Sequence, residues 1–538
     1  MRMDPLESRP GAAAVPSRRT GATRVVLAVS LSRLAGLIRE RVFAHYLGTS
    51  AAADAFGAAF RIPALLEGVL GDNVMSSAFI PRHSRLLAAG SRAEASRLAR
   101  AVASFHVLIV TGIVLAGVLL APLLVSVIAR GFDPPKAALT VRLVRILFPT
   151  VGLLVLGSWC LAVLNSHRRF FLPYVVPVLS AASISSALIW MGRGGDRPDI
   201  AVAAAWGALI GALLQLVVQL PFAIRWLGEA APASSATRVH LREVGRNAVP
   251  AAGRGLIGRA GIWVEVAIAG FISTGAIAAL NYAQLLYSLP VGLFTVAISA
   301  TLLPELSAAA AHGETLATHI SEALHSALRH TAYLLVGCAA AFIALGDVMV
   351  AAVYRGGQFG TNDVAYVWAI LAAMSIGLVG VSMGSLQATA FYALGDTRTP
   401  LRAAAIRLGT RAVLGVVLAI PVPRLLGLEP RWGAAGLGAA IGISGWIEFA
   451  LLRRWLNDRL GLATARHIVP FLLALWASAI AAAAVAWLVR LSLPMTDPIV
   501  RAVAILGTYG ISYVGITLVA GMREPASFLA QLRRSAKR

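Results

Sequence analysis

Charge is scarce in this sequence. Only 13% of its 538 residues are Asp, Glu, Lys or Arg, where soluble proteins carry about a quarter. A soluble chain of this length splits into domains with charged surfaces, and there is too little charge here to coat them. Apolar residues make up 58% of the chain and the mean hydropathy is +0.78, so lipid is the expected solvent. Lysine is nearly absent, with Lys136 and Lys537 alone. Cys160 and Cys338 are the only cysteines. Two residues far apart in apolar runs exclude a disulfide framework or a cysteine zinc motif, and they read as small buried side chains. No Walker A loop, Gly-x-Ser-x-Gly elbow or His-Glu-x-x-His pair occurs, and the histidines are scattered. No enzyme activity, catalytic residue, metal site or cofactor is expected.

What the chain does carry is arginine, for a formal net charge of +23. A basic balance of this size suits either nucleic-acid binding or the positive-inside bias of membrane loops. The arginines are dispersed among apolar runs rather than gathered in one domain. That favours the membrane and argues against a nucleic-acid partner. Residues 1–24 are polar and hold Arg2, Arg9, Arg18, Arg19 and Arg24; the apolar run after them contains Arg33, Arg39, Glu40 and Arg41. A cleaved signal peptide has a clean apolar core. This start reads instead as a basic cytoplasmic tail leading into a retained first span.

Spans of about 20 mostly apolar residues fall at 25–47, 53–80, 101–129, 140–164, 171–192, 200–226, 247–272, 276–304, 326–353, 363–394, 401–422, 433–455, 467–490 and 498–521. The first, second, seventh and eighth contain charges, glycines or prolines. Fourteen spans, an even number, put both termini on one side. Segments 82–100, 166–169, 225–246, 453–466 and the tail hold most loop arginines, while 48–52 and 273–275 hold no basic residue. Both termini are therefore expected in the cytoplasm, with exceptions to the rule at Arg130, Arg142, Arg355 and Arg431.

The expected fold class is an all-α polytopic membrane protein with an internal repeat. Pro63 in the second span and Pro81 at its exit answer Pro290 and Pro304 in the eighth; Gly131-Phe132 and Gly357-Gln358-Phe359 follow the third and ninth spans; Leu164-Asn165 and Leu394-Gly395 close the fourth and tenth. A six-span offset is even, so it implies two parallel six-helix lobes: an N-lobe at 25–235 and a C-lobe at 240–460. Two further helices fall within 461–522, and 523–538 is a second basic tail. In such folds substrate binds between the lobes near the midplane.

An ionisable residue at the bilayer centre costs about 2.5–3.5 kcal/mol on insertion scales, so charges inside spans mark the search area. Arg33 and Arg39 would point about 120° apart on a straight helix, and a bend at Gly36 would bring them to one cavity as a cationic lining. Arg41 reads as snorkelling to the interface. Asp54, opening the second span, is either a helix cap or a gate and ion partner. Glu67 and Asp72, beside Gly68 and Gly71, suggest a bent, water-facing helix. In the seventh span Arg254, Arg259 and Glu265 lie among Gly253, Gly255, Gly258 and Gly261; Arg259 and Glu265 would pair only through a helix distortion. Arg407 and Arg411, four apart on the eleventh span, share a face that should point inward.

The stretches Ser32-Arg33 to Arg39, Ala53-Asp54-Ala55-Phe56, Phe60-Arg61-Ile62-Pro63 and Ala78-Phe79-Ile80-Pro81 resemble the MurJ/MviN family of lipid II flippases. The likeness continues through Leu164-Asn165-Ser166-His167-Arg168-Arg169-Phe170-Phe171-Leu172-Pro173, Gln215 to Pro221, Leu302-Leu303-Pro304 and Phe391-Tyr392-Ala393-Leu394-Gly395-Asp396-Thr397-Arg398-Thr399-Pro400. It covers nearly the whole chain, in order. The family lies within the multidrug/oligosaccharidyl-lipid/polysaccharide exporter superfamily, and the resemblance implies fourteen helices in two six-helix lobes plus two. It implies that Arg33 and Arg39 hold the substrate's diphosphate by charge-assisted hydrogen bonds and that Asp54 gates the outer side. The chain departs from the family at Glu67 and Leu285, where arginines are usual, and at Asp72-Asn73-Val74-Met75. Arg254 and Arg259 are expected to supply the missing charge from a neighbouring helix.

The implied activity is flipping of lipid II across the bacterial cytoplasmic (inner) membrane by alternating access, for cell wall biogenesis. The implied partners are lipid II or a similar polyprenyl-diphosphate glycolipid, and membrane lipids. A cation gradient or the membrane potential would reset the cycle, with Glu265 and Asp396 as candidate cation-sensing acids. The competing readings are an exporter of another polyprenyl-diphosphate oligosaccharide or of drugs, and a degenerate, non-transporting membrane scaffold.

Overall fold

The structure is a computed structural model that describes residues 18–227, 235–295, 298–299, 301–302, 305–306, 316–461, 468–492 and 497–526. Helix α1 (Arg18–Leu47) runs through Gly36 without a break. The chain turns at Gly48 into α2 (Ala51–Arg61), whose first turn is capped by Ser50 Oγ accepting from Ala53 N at 3.3 Å. Ile62 and Pro63 then interrupt the helix. The second span continues as α3 (Ala64–Leu70), α4 (Asp72–Val74), a π-helical stretch Met75–Phe79 and α5 (Ile80–Ala88). Next come α6 (Arg92–Leu119), α7 (Ala121–Ile128), α8 (Pro134–Ser166), α9 (Phe171–Val175), α10 (Pro177–Met191) and α11 (Arg197–Arg225). Helix α12 (Ser235–Ala269) is followed by α13 (Ala276–Pro290) with its π-helical continuation Val291–Thr295. Then follow α14 (Leu316–Tyr354), α15 (Thr361–Ser375), α16 (Leu378–Ala393), α17 (Arg398–Ala419), α18 (Pro421–Leu425), α19 (Gly433–Leu460), α20 (Ile468–Ser492) and α21 (Pro498–Val519). Prolines at the first turns of α8, α11 and α21 cost no hydrogen bond there. The only extended pairing among the described residues is an isolated bridge between Gly356 and Phe359.

Among the described residues, ten helices are long and apolar enough to cross a membrane, and the bent pair α15–α16 makes an eleventh. These match eleven of the fourteen expected spans. Helices also occupy the other three places, the first, second and seventh, but their charges, glycines and breaks keep them from passing on composition alone. The outer surface is apolar: Leu108, Leu119, Trp190, Ile511 and Val519 are all exposed. A surface of this kind is stable only against hydrocarbon.

Packing divides the helices into groups. Helix α8 packs on α2, α6 and α11, with α10 on α11 and α1. Helix α19 packs on α15, α16 and α17, while α14 packs on α15 and α16. The last two helices, α20 and α21, pack on each other and on α14. Helix α12 joins the groups, touching α3, the Met75–Phe79 stretch and α6 on one side and α17 on the other. The seam between the α2–α5 segment and α12 and α13 is where the buried charges of the sequence converge.

Candidate functional site

At one end of the seam lies Asp54, with its side chain fully enclosed. Its Oδ2 accepts from Lys136 Nζ at 2.8 Å and from Gly275 N at 2.6 Å, and its Oδ1 accepts from Ala278 N at 2.9 Å. Asp54 therefore caps α13, a helix more than two hundred residues distant, while Ser50 caps its own. A carboxylate here satisfies orphan N–H groups and meets the positive end of the α13 dipole. Gly275 occupies the left-handed region at φ 89°, and a Cβ there would collide with the Thr49 carbonyl. Lys136, at the start of α8, also stands 4.1 Å above the Phe132 ring.

The same end is sealed by further contacts between distant segments. Tyr282 Oη donates to Gly48 O at 2.9 Å, and Gln358 N donates to His45 O at 2.8 Å. Arg197 donates to Gln358 Oε1 at 2.6 Å, and Thr49 Oγ1 donates to Asp363. The turn after α1 is thus held to α13 and to the loop after α14.

Deeper along the seam, Arg61 at the end of α2 lies 3.8 Å from Glu265 of α12. Arg411 of α17 pairs with the same carboxylate. Trp263 Nε1 donates to the Arg61 carbonyl at 3.2 Å and holds that end of α2 against α12. Deeper still, Glu67 of α3 pairs with Arg259 of α12 at 3.1 Å. Beside that pair α3 and α12 touch through their backbones, because a Cβ on Gly255 would lie 1.9 Å from Gly68 O. Arg407, one turn from Arg411, pairs with Glu448 of α19 at 2.7 Å. The Arg407–Arg411 face points at acids of two neighbouring helices, as charge inside a bundle requires.

Helix α12 is unbroken through its glycines, so Arg259 and Glu265 take different partners rather than each other. The arginines of α1 separate. Arg33 reaches across to the π-helical continuation of α13, where a Cβ on Gly292 would stand 2.9 Å from its Nη1. Arg39 pairs with its neighbour Glu40 at 2.5 Å, and Arg41 donates to Ala352 O at 2.8 Å. The side chain of Arg254 lies outside the described residues. Asp396 sits in the turn before α17, where it accepts from Thr399 N and Oγ1 and from Arg398 N and pairs with Arg459. Those hydrogen bonds, Thr399's first, hold its carboxyl below the usual carboxylate range.

Lys136 and Arg61 are the seam residues that sequence reasoning passed over. The signal for Lys136 was its rarity, as one of two lysines placed where no topology rule explains it. Leu285, standing where the resemblance leads one to expect arginine, packs against the apolar core.

The Glu67–Arg259 pair offers a direct test. Arg259→Glu alone sets two carboxylates together at a half-buried site and is expected to lower flipping activity at least tenfold. The reciprocal swap, Glu67→Arg with Arg259→Glu, should restore most of it. A swap no better than either single variant would mean the pair is not a unit.

The comparisons with known proteins agree with one another. A family model described as "Lipid II flippase MurJ" matches residues 43–504. The probable lipid II flippase MurJ of Rhizobium tropici is 31% identical over 427 residues, covering 78% of this chain and 76% of its own. The lipid II flippase MurJ of Burkholderia cenocepacia is 29% identical over 447 residues, covering 81% and 84%. Among solved structures, a lipid II flippase MurJ in an inward closed conformation superposes with a TM-score of 0.74 at 22% identity, over 93% of this chain and 99% of that one. An inward-facing multidrug resistance MATE transporter of the MOP superfamily reaches a TM-score of 0.64 at 17% identity, over 83% and 100%. The match to the family model over most of its length, with the Rhizobium relative, places this chain in the MurJ family of lipid II flippases.

Proposed function

We propose that this protein moves lipid II, or a closely similar polyprenyl-diphosphate glycolipid, from the inner to the outer leaflet of the bacterial cytoplasmic membrane. The observation that carries the reading is a charged seam closed at one end by Asp54, in a chain of the lipid II flippase family. With both termini in the cytoplasm, the Asp54 end is the outer one. The path is then shut outside, and the substrate enters from the cytoplasmic side. Arg33, Arg39, Arg254 and Arg259 are the residues proposed to receive the diphosphate, since guanidinium forks match its oxygens. Arg259 is supplied from α12, with Glu67 holding it at the seam until substrate arrives.

Alternating access follows from rocking the N-lobe, 25–235, against the C-lobe, 240–460. The isoprenoid tail stays in lipid or in an apolar groove. A cavity of about 500 Å³ lies near α14, against which the last two helices pack; Leu293, Phe294, Ala323, Ala327 and Leu334 in its lining suit such a chain, beside the polar Glu305, His330 and Glu524. No covalent step is needed. Reset by the membrane potential or by a cation belongs to the same proposal, with Glu265 and Asp396 as the candidate sensing acids. Both are engaged by arginines, so a cation would compete with Arg61 and Arg411 at one and Arg459 at the other. That competition favours the membrane potential.

The test is complementation in cells depleted of their own flippase. Wild-type protein should restore growth, and Arg33→Ala should reduce flipping on the order of tenfold or more, the scale of a lost charge-assisted contact. A stably expressed wild-type protein that gives no rescue would sink this reading and favour the scaffold, to which Glu67 and Leu285 at usual arginine positions point. Rescue indifferent to Arg33 would move the diphosphate site elsewhere.

A further inference from the structure

Along the α2–α12 seam, two carboxylates each pair with a single cation. Asp54 is matched by Lys136, and Glu67 by Arg259. Glu265 differs, because Arg61 of α2 and Arg411 of α17 both converge on it. The neighbouring Arg407 is already neutralised by Glu448. One positive charge is therefore left over where these three side chains meet.

The geometry is that of an occupied anion site. Two guanidiniums from different helices directed at one point are what a diphosphate needs, because each can donate a fork of N–H groups to a separate set of oxygens. Here a side-chain carboxylate fills the place. Glu265 and the Arg61 Nη1 facing it are enclosed, while the Arg61 and Arg411 side chains as a whole keep 15% and 16% of their surface accessible. Its position matters equally. On the second span Arg61 lies between Asp54 and Glu67, so the site stands between the outer cap and the Glu67–Arg259 pair. An anion that had passed Arg259 on its way outward would meet it next.

We infer that Arg61 and Arg411 form a second station for the diphosphate, and that Glu265 is its built-in stand-in anion. The inference rests on the reading that the substrate is a polyprenyl-diphosphate glycolipid. An arriving diphosphate displaces Glu265 and takes both arginines. That transfer breaks the Arg61–Glu265 link between α2 and α12, so occupancy of the station loosens the seam below the cap. When the headgroup leaves, Glu265 recaptures both arginines and resists rebinding. A tethered competitor thereby favours release.

Farnesyl diphosphate and farnesyl monophosphate are suitable probes, titrated against the full chain in lipid nanodiscs. Glu265→Gln removes the competitor while keeping the side-chain shape, and should tighten farnesyl diphosphate binding on the order of tenfold. Glu265→Asp, which keeps the charge but withdraws it by one methylene, should tighten it less. Adding Arg411→Gln to Glu265→Gln should erase the gain. The monophosphate, with one phosphate for two arginines, should gain less. A folded, monodisperse Glu265→Gln protein whose affinity for farnesyl diphosphate is unchanged or weaker overturns the second station. If binding still depends on Arg33 in that case, the flippase reading stands. Absence of diphosphate binding in wild type and Glu265→Gln alike overturns both.

Discussion

Asp54→Ala is expected to abolish rescue of flippase-depleted cells, with the largest loss of any single seam substitution. Three interactions end at this carboxylate, two from the first turn of α13 and one from Lys136. Truncation strands Lys136, 5% exposed, without a counter-charge. Removing one partner of a buried ion pair costs about 3–5 kcal/mol. It also exposes the N–H groups at the start of α13 to apolar surroundings. Two effects are thus combined, instability and loss of the cap on α13, and a second variant separates them. Asp54→Ala with Lys136→Met removes the stranded ammonium along with the carboxylate, which costs less stability than leaving one charge buried and unpaired. The double variant should recover part of the thermal midpoint lost in Asp54→Ala yet still fail in rescue, because the N–H groups at the start of α13 remain without the carboxylate that ties them to α2. Wild-type flipping by the double variant would show that Asp54 serves only to neutralise Lys136.

The fold class was legible because apolar runs long enough to span a membrane are hard to disguise, and eleven of the expected spans pass on length and composition. The three that do not are the first, second and seventh, and the reason is physical. The second and seventh hold the seam charges Asp54, Arg61, Glu67, Arg259 and Glu265, and the first carries Arg33 to the π-helical turn at Gly292. A helix that faces a charged seam cannot also read as lipid-facing. Residues with charge in a span were conspicuous for the same reason, so Arg33, Asp54, Arg259 and Glu265 stood out. Their partners did not. Glu265 meets arginines from α2 and α17, and Asp54 meets a backbone turn of α13, because of how helices are rotated and placed in height. A single sequence carries that information only diffusely. Arg259 and Glu265 could pair only through a distortion of α12, and each instead takes partners from other helices. Arg61 was visible as part of the Phe60-Arg61-Ile62-Pro63 motif, but a motif does not say what its arginine faces.

Closure of the seam below the cap depends on something smaller than any charge, and a methyl group should be enough to defeat it. Gly255→Ala is expected to reduce flipping at least tenfold, while Gly253→Ala, on the same helix, leaves it unchanged. A Cβ on Gly255 would stand 1.9 Å from Gly68 O and 2.8 Å from Gly68 C, whereas one on Gly253 meets nothing within 4 Å. The obstacle at Gly255 is backbone, so no rotamer change relieves it. Helices α3 and α12 must separate, and the adjacent Glu67–Arg259 contact at 3.1 Å must stretch with them. Overpacking of this kind costs about 1–3 kcal/mol, and every 1.4 kcal/mol is tenfold in a population. The cost falls on the closed arrangement, which alone needs the two glycines in contact; an arrangement with the seam apart is spared. The two alanines have equal helix propensity, so their difference isolates the contact from any general effect on α12. Thermal midpoints close to wild type for both variants, with flipping lost only in Gly255→Ala, would make the Gly68–Gly255 contact a functional closure. Equal flipping by the two would mean that the transport cycle never requires α3 and α12 to come this close.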